Sequence, residues 1–186
     1  KVLYHSRAVD GRDIVVSGVV VAPSSTKGVP DGGRPVVSWA HGTHGIADKC
    51  APSRHADWVK RMPAISELIE RGYVVAATDY EGLGTPGVHP YLVGESGARG
   101  ALDVVRAAQQ IPQAHAGTDA VIFGHSQGGQ AALFAGEIAP TYAPDLDVRG
   151  IVAGAPATEN EAMLPAAAGI PSTLGFVVMG LKGAQA

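Results

Sequence analysis

The sequence predicts an α/β fold in which a mostly parallel sheet carries helices on both faces. Short apolar runs rich in β-branched residues recur along the chain, and their length is typical of strands buried on both faces. Between these runs, apolar residues recur at helical spacing, and this alternation is typical of a parallel sheet with crossover helices. The runs that predict such strands are 35–40, 73–78, 120–124 and 147–154.

The length and composition indicate a single folded domain. The chain has 186 residues, of which 46% are hydrophobic and 17% are charged, so one apolar core can form. The formal net charge of −3 offers no basic surface for nucleic acid, and no apolar run reaches the length of about 18–20 residues that a membrane span needs. The chain begins at Lys1 without a signal-peptide pattern, so we expect any export signal to be absent from these residues. Neither a nucleic-acid partner nor a membrane span is expected.

The first part of the chain predicts a β-hairpin. Residues 2–9 and 13–22 flank Asp10-Gly11, a dipeptide that favours hairpin turns. Further along, apolar residues at helical spacing predict a helix that Pro63 splits or starts and that ends at Gly72. These apolar residues are Trp58, Met62, Ile65 and Ile69.

The later part of the chain alternates in the same way and ends in an apolar segment, 155–186, that is rich in alanine and glycine. Helices are predicted at 96–111, at 126–139 and near 173–181. Ligands of parallel sheets bind beyond the carboxyl ends of the strands. Four loops should therefore meet at one site: 41–45, 79–89, 125–128 and 155–160.

The segment 124–128, Gly-His-Ser-Gln-Gly, has the G-x-S-x-G pattern of a nucleophile elbow. In this turn a strand changes sharply into a helix, and the serine hydroxyl is left exposed. Glycine is needed on both sides because a Cβ would collide with the neighbouring backbone. The apolar strand before the pattern and the small-residue helix after it are the context that the elbow requires, so Ser126 is predicted to be a nucleophile.

A nucleophile for acyl transfer also needs hydrogen-bond donors for the developing oxyanion. One predicted donor is the backbone amide of Gln127, directly after the nucleophile. The other is the backbone amide of Thr43, because a His-Gly motif after a strand, here His41-Gly42, places the next amide at the site.

Taken together, these segments resemble the secretory-lipase branch of the α/β-hydrolases, which includes fungal lipase-A-type and actinobacterial lipases. The matching motifs, in the family's order, are Trp39-Ala40-His41-Gly42-Thr43, Cys50-Ala51-Pro52-Ser53, Thr78-Asp79-Tyr80-Glu81-Gly82-Leu83-Gly84, Gly124-His125-Ser126-Gln127-Gly128-Gly129-Gln130 and Gly154-Ala155-Pro156.

The resemblance implies an α/β-hydrolase fold and a secreted serine hydrolase that acts on ester or lipid substrates without a metal or cofactor. It also implies a helical cap inserted after the strand 147–154. Residues 1–154 are then the hydrolase core, and 155–186 are the start of the cap. The residues expected to contact substrate are His41, Gly42, Tyr80 and His89.

The sequence departs from this family in one respect. The superfamily carries its triad in the order Ser, then Asp or Glu, then His. None of the seven histidines follows Ser126; they are His5, His41, His44, His55, His89, His115 and His125. The final strands, which carry the acid and the base in the resembled enzymes, are missing from residues 155–186.

Three explanations stay open. The chain is the N-terminal part of a longer hydrolase, with a C-terminal fragment as its partner, and Cys50 agrees because the resembled enzymes can bridge this position to a later cysteine. Alternatively, a short protein rebuilds the site as a homodimer or by using upstream groups, with His89 as candidate base and Glu159 as candidate acid. Finally, the chain is a non-catalytic binding module with the same fold. Among enzymes, an acyltransferase with the same nucleophile is the alternative to a hydrolase.

Two further residues have structural predictions. His125 should point away from the site and pack, and Asp79 should cap the loop 80–84 through its backbone amides. No Cys/His spacing indicates zinc, and no glycine-rich motif indicates a nucleotide, so no metal or cofactor is predicted.

Overall fold

One six-stranded sheet organises the chain. The computed structural model describes residues 1–186, and the strands in the sheet follow the order β1-β2-β4-β3-β5-β6. Their bounds are β1 (Val2–Arg7), β2 (Asp13–Val21), β3 (Arg34–Ala40), β4 (Val74–Thr78), β5 (Ala116–His125) and β6 (Asp147–Gly154).

The parallel strands of the sheet all end at the same edge, which we name the site edge. Strands β4, β3, β5 and β6 are adjacent and parallel, whereas β2 runs antiparallel to both β1 and β4. The carboxyl ends of the four parallel strands, at Thr78, Ala40, His125 and Gly154, therefore lie at the same edge. The predicted mostly parallel sheet is confirmed.

Helices cover both faces of the sheet, as predicted. Helices α2 and α3 pack on one face, where Leu102 and Ala132 join a buried cluster with Val36 and Ile122. Helix α1 lies on the other face, against a cluster built on Trp39. The helices are α1 (Ile65–Glu70), α2 (Gly94–Gln109), α3 (Gln127–Tyr142), α4 (Asn160–Ala168) and α5 (Leu174–Gly183). Single 3₁₀ turns occur at Asp48–Cys50, Pro52–Arg54, Val59–Arg61, Pro112–Ala114 and Pro171–Thr173.

The largest difference from the predicted elements concerns the helix around Pro63. Helix α1 starts only at Ile65, because Ala64 adopts a left-handed conformation with φ of 54° and interrupts the helix after the proline. Trp58 and Met62 are still buried: they lie outside any α-helix, and their side chains pack against α1. The spacing of these apolar residues therefore reflects which side chains are buried, and it does not mark a helix. Strand β5 also starts earlier than predicted, and α4 was not predicted at all.

Residues 155–186 form α4 and α5 and are largely exposed. The only buried residues within these two helices are Gly180 and Gly183. The large apolar side chains that stay exposed here are Met163, Ile170, Leu174, Phe176, Val178 and Leu181. The division into a core at 1–154 and a cap that begins at 155 stays a prediction. No helix in the structure is both long enough and apolar enough to span a bilayer.

Candidate active site

Ser126 lies in the turn between β5 and α3, in a backbone conformation that few residues adopt. Its φ is 58° and its ψ is −118°. The Ser126 amide donates to the Gly154 carbonyl at the end of β6, over 2.9 Å, and its own carbonyl accepts from the Gln130 amide in the first turn of α3, over 3.1 Å. Such strained conformations persist where the surroundings enforce them and cluster at functional sites. The turn has the strand-to-helix geometry that the elbow prediction requires, and the role of Ser126 as a nucleophile stays a prediction.

The two flanking glycines make this turn possible. A Cβ on Gly124 would lie 2.0 Å from the Gly128 carbonyl oxygen, and a Cβ on Gly128 would lie 1.9 Å from the Ala40 carbonyl oxygen. Backbone therefore contacts backbone at both positions, so no side chain fits. The second contact also fixes the elbow against the end of β3.

The loop after β3 approaches the serine closely. A Cβ on Gly42 would lie 3.7 Å from the Cβ of Ser126. Gln127 is the first residue of α3, so its backbone N–H has no acceptor within the helix and adds to the positive end of the helix dipole. Thr43 follows Gly42, and its Oγ1 lies 2.7 Å from the hydroxyl of Tyr91. The structure thus brings the segments that carry both predicted oxyanion donors to Ser126; binding of an oxyanion by the two amides stays a prediction.

His41 is buried directly beneath this loop. Its side chain is 1% exposed, its Nδ1 lies 2.6 Å from the Gly42 carbonyl, and its Nε2 lies 3.3 Å from the Asp79 carbonyl. Burial lowers the pKa of His41 to about 3, so the ring is neutral near neutral pH. His41 supports the loop from below and has almost no surface for a substrate.

Tyr80 and His89 are also buried, although substrate contact is predicted for both. Tyr80 is 0% exposed and donates its hydroxyl to the His41 carbonyl over 2.8 Å. His89 is 2% exposed, with partners at both ring nitrogens: the Glu81 carbonyl at Nδ1 and the Gln127 side chain at Nε2, each at 2.8 Å. Burial lowers the pKa of His89 to about 4. Because its acceptor nitrogen is engaged, His89 as placed here is not a free general base.

Two structural predictions are wrong. His125 is exposed at the carboxyl end of β5, and its ring lies beside the loop after β3 instead of pointing away from the site: a Cβ on Gly42 would lie 3.8 Å from His125 Nδ1. Asp79 does not cap the loop 80–84: its carboxylate accepts from the Ser17 hydroxyl at 2.6 Å and from the Ser53 amide at 2.8 Å. Within that loop, the Tyr80 amide donates to the Thr78 hydroxyl and not to Asp79.

Glu159, the candidate acid, is exposed and precedes the first turn of α4. Cys50 is a partly buried free thiol. No group of three or more His, Cys, Asp or Glu side chains is placed to hold a metal ion.

Tyr91 is the residue at this site that sequence reasoning missed. It is 4% exposed and contacts Thr43 through its hydroxyl. An aromatic residue in a loop rich in glycine and proline, two positions after a histidine, was the available signal. Ser17 was missed as well, because it lies on β2, 62 positions away from Asp79.

The comparisons with known proteins agree with this geometry. A model of the secretory lipase family matches residues 59–185. The chain belongs to the secretory lipase family. It is 33% identical over 149 residues to a secreted triacylglycerol lipase of Malassezia globosa, with 74% of this chain and 31% of that protein covered. It is 29% identical over 167 residues to a probable inactive lipase of Mycobacterium tuberculosis, with 84% of this chain and 36% of that protein covered.

Among solved structures, lipase A of Candida antarctica superposes with a TM-score of 0.76 at 21% identity, covering 97% of this chain and 42% of that chain. This confirms the predicted α/β-hydrolase fold. The family is one of secretory lipases, and ester hydrolysis by this chain stays a proposal. The chain spans about a third of the length of the two curated relatives.

Proposed function

We propose that this chain carries the nucleophile and the oxyanion-binding groups of a secreted serine carboxylic ester hydrolase. Ser126 Oγ attacks the ester carbonyl carbon, and its proton passes to a general base that is not identified among these residues. The carbonyl oxygen becomes an oxyanion held by the backbone amides of Gln127 and Thr43. Collapse of this intermediate releases the alcohol, which takes up a proton, and water then hydrolyses the acyl-enzyme to the free acid.

The single observation that carries this proposal is the backbone of Ser126. The nucleophile elbow requires a strained residue between the end of a strand and the start of a helix, flanked by glycines at which an added Cβ would lie only about 2 Å from a carbonyl oxygen. A turn with no chemical role would gain stability by relaxing, since residues held in sparsely populated conformations cost of order 1–3 kcal/mol. The name of the Malassezia relative supports an ester of a lipid as substrate.

A non-catalytic binding module is the second candidate. The observation that favours it is the relative named as a probable inactive lipase, which covers 84% of this chain. Such a module keeps the fold and the ligand-binding edge, but it does not need an activated serine.

The test is labelling of the natural full-length protein with a fluorophosphonate, followed by mass spectrometry of the modified peptide. We expect modification at Ser126 that is lost in Ser126→Ala and kept in Ser172→Ala, which removes an exposed serine far along the chain. Folded protein that does not label at Ser126 supports the binding module. Labelled protein that transfers the acyl group of an ester to an added alcohol, and releases no acid, identifies an acyltransferase.

A further inference from the structure

We propose that Tyr80, His89 and Tyr91, all on the loop between β4 and α2 (residues 79–93), form a positioning clamp that fixes the two oxyanion donors relative to each other. The inference rests on the proposed function, because it concerns the groups assigned there to bind the oxyanion. None of the three side chains is given a chemical step. Their role is to hold Gln127 and the loop 41–43 in place.

The side chain of Gln127 is oriented by His89, because the protonated nitrogen of the His89 ring can be assigned. The Glu81 carbonyl can only accept a hydrogen bond, so His89 Nδ1, 2.8 Å away, carries the proton and donates. In the neutral ring Nε2 is then an acceptor, and Gln127 must present its amide NH₂ to it over 2.8 Å. The orientation of the Gln127 side chain is therefore fixed by the carbonyl of Glu81 through the histidine.

This orientation leaves a buried atom without a partner. Gln127 is 5% exposed, and its Oε1 has no hydrogen bond. A buried acceptor without a partner is destabilising. Gln127 keeps its bond to His89 despite this cost, which favours a positioning role over a contribution to stability.

The hold on the other donor comes from the two tyrosines. The Tyr80 hydroxyl donates to the carbonyl of His41, and the Tyr91 hydroxyl lies 2.7 Å from Thr43 Oγ1. Both hydroxyls are buried, since Tyr80 is 0% and Tyr91 is 4% exposed. The residues on either side of Gly42 are thus tied to the same loop that holds Gln127, His41 through its carbonyl and Thr43 through its side chain.

The three clamp residues also support one another. The rings of Tyr80 and His89 stack with centroids 5.8 Å apart at an interplanar angle of 17°, and the ring of Tyr91 lies 6.1 Å from that of His89. The two donors themselves are at the ends of different strands, β3 and β5. Catalytic constellations need their groups held within about 0.5 Å of the productive geometry. A single packed loop that contacts both sides provides such a constraint.

The test compares two variants of His89 that separate its two hydrogen bonds. In His89→Gln the side-chain amide reaches the place of Nε2 and can still accept from Gln127. In His89→Asn the shorter amide reaches only the place of Nδ1, so the bond to Glu81 is kept and the bond to Gln127 is lost. Tyr91→Phe removes the contact with Thr43. Tyr73→Phe, at the amino end of β4 and remote from the site, is the matched control.

The variants are made in the natural full-length protein, and ester hydrolysis and fluorophosphonate labelling rates are measured with the unfolding midpoint of each. We expect His89→Asn and Tyr91→Phe to lower kcat about 10-fold or more with KM little changed, since loss of a whole donor costs about 100- to 1,000-fold. His89→Gln should restore most of the kcat that His89→Asn loses, and Tyr73→Phe should match the natural protein.

Equal losses in His89→Gln and His89→Asn, or a change confined to KM, overturn the clamp. ¹⁵N NMR of the imidazole separates this failure from failure of the proposed function. If the natural protein does not label at Ser126, the proposed function fails. The clamp contact itself is then decided by whether the His89 Nε2 resonance is that of an acceptor and shifts in Gln127→Met. An Nε2 that carries the proton, or one that Gln127→Met does not move, refutes the contact.

Discussion

The site edge of the sheet and the C-terminal helices α4 and α5 differ in how their residues are held. At the site edge, backbone touches backbone at Gly124 and Gly128, and His41, Tyr80 and His89 are buried with hydrogen-bonded polar atoms. In α4 and α5 most side chains are exposed, and the only buried residues are two glycines. The contrast teaches that buried, hydrogen-bonded side chains are concentrated where the proposed chemistry needs fixed positions, whereas the apolar side chains of the segment beside it stay exposed, and α5 meets the site loop (residues 79–93) backbone to backbone at Gly183.

Lowering the pH is expected to have the largest effect on stability, because two buried histidines lie at the site edge. The folded-state pKa values of His41 and His89, about 3 and about 4, lie below the ordinary value of 6.5 because both rings are buried. The unfolded chain therefore binds protons first as pH falls, so stability is complete above about pH 6.5 and declines toward pH 4 and below. We expect the free energy of unfolding to drop by about 6 kcal/mol between pH 7 and pH 4.

Urea unfolding across this pH range checks the expectation. His89→Gln removes one of the two groups and should flatten the dependence by about 1 kcal/mol per pH unit on average over the window between about 4 and 6.5. A natural protein with constant stability from pH 7 to pH 4 would contradict the burial of these rings.

A methyl group added at Gly128 is expected to have the next largest effect. The new Cβ would lie 1.9 Å from the Ala40 carbonyl oxygen, so the elbow must move away from β3. We expect Gly128→Ala to cost about 3 kcal/mol or more of stability and to abolish fluorophosphonate labelling. The matched control is Gly175→Ala in α5, where no atom from outside the adjoining turns of the helix lies within 4 Å of the new Cβ.

Chemical denaturation and labelling of both variants make the comparison direct. Alanine is favoured over glycine in a helix by about 0.5–1 kcal/mol, so Gly175→Ala should be neutral or slightly stabilising. If Gly128→Ala were as harmless as Gly175→Ala, the tight contact between the elbow and β3 would be refuted.

A polar substitution on the outer face of α5 is expected to have the smallest effect on the free energy of unfolding. Leu181 is 63% exposed, and glutamine has a similar helix propensity, so Leu181→Gln should change the free energy of unfolding by less than about 0.5 kcal/mol. Leu102→Ala, at a position that is 0% exposed under the sheet, should cost about 2–5 kcal/mol. Thermal unfolding of the two variants measures the difference, and a large loss in Leu181→Gln would show that α5 is packed more tightly than its exposure indicates.

The sequence by itself determined the local features of this protein. Apolar runs of strand length predicted four parallel strands, because such strands are buried on both faces and need no polar positions. The glycines around Ser126 predicted the elbow, since steric exclusion at a tight turn acts between residues that are neighbours in the chain. The family motifs predicted the α/β-hydrolase fold in the same way, through short segments in a fixed order.

Tertiary structure decided the rest, because the deciding contacts join residues that are far apart in sequence and leave no local pattern. The spacing of Trp58 and Met62 predicted a helix, yet burial under α1 explains it. The carboxylate of Asp79 accepts hydrogen bonds from Ser17 on β2 and from the amide of Ser53, and not from the adjacent loop. His89 and Gln127, 38 positions apart, meet only because the strand order places the ends of β4 and β5 on either side of β3.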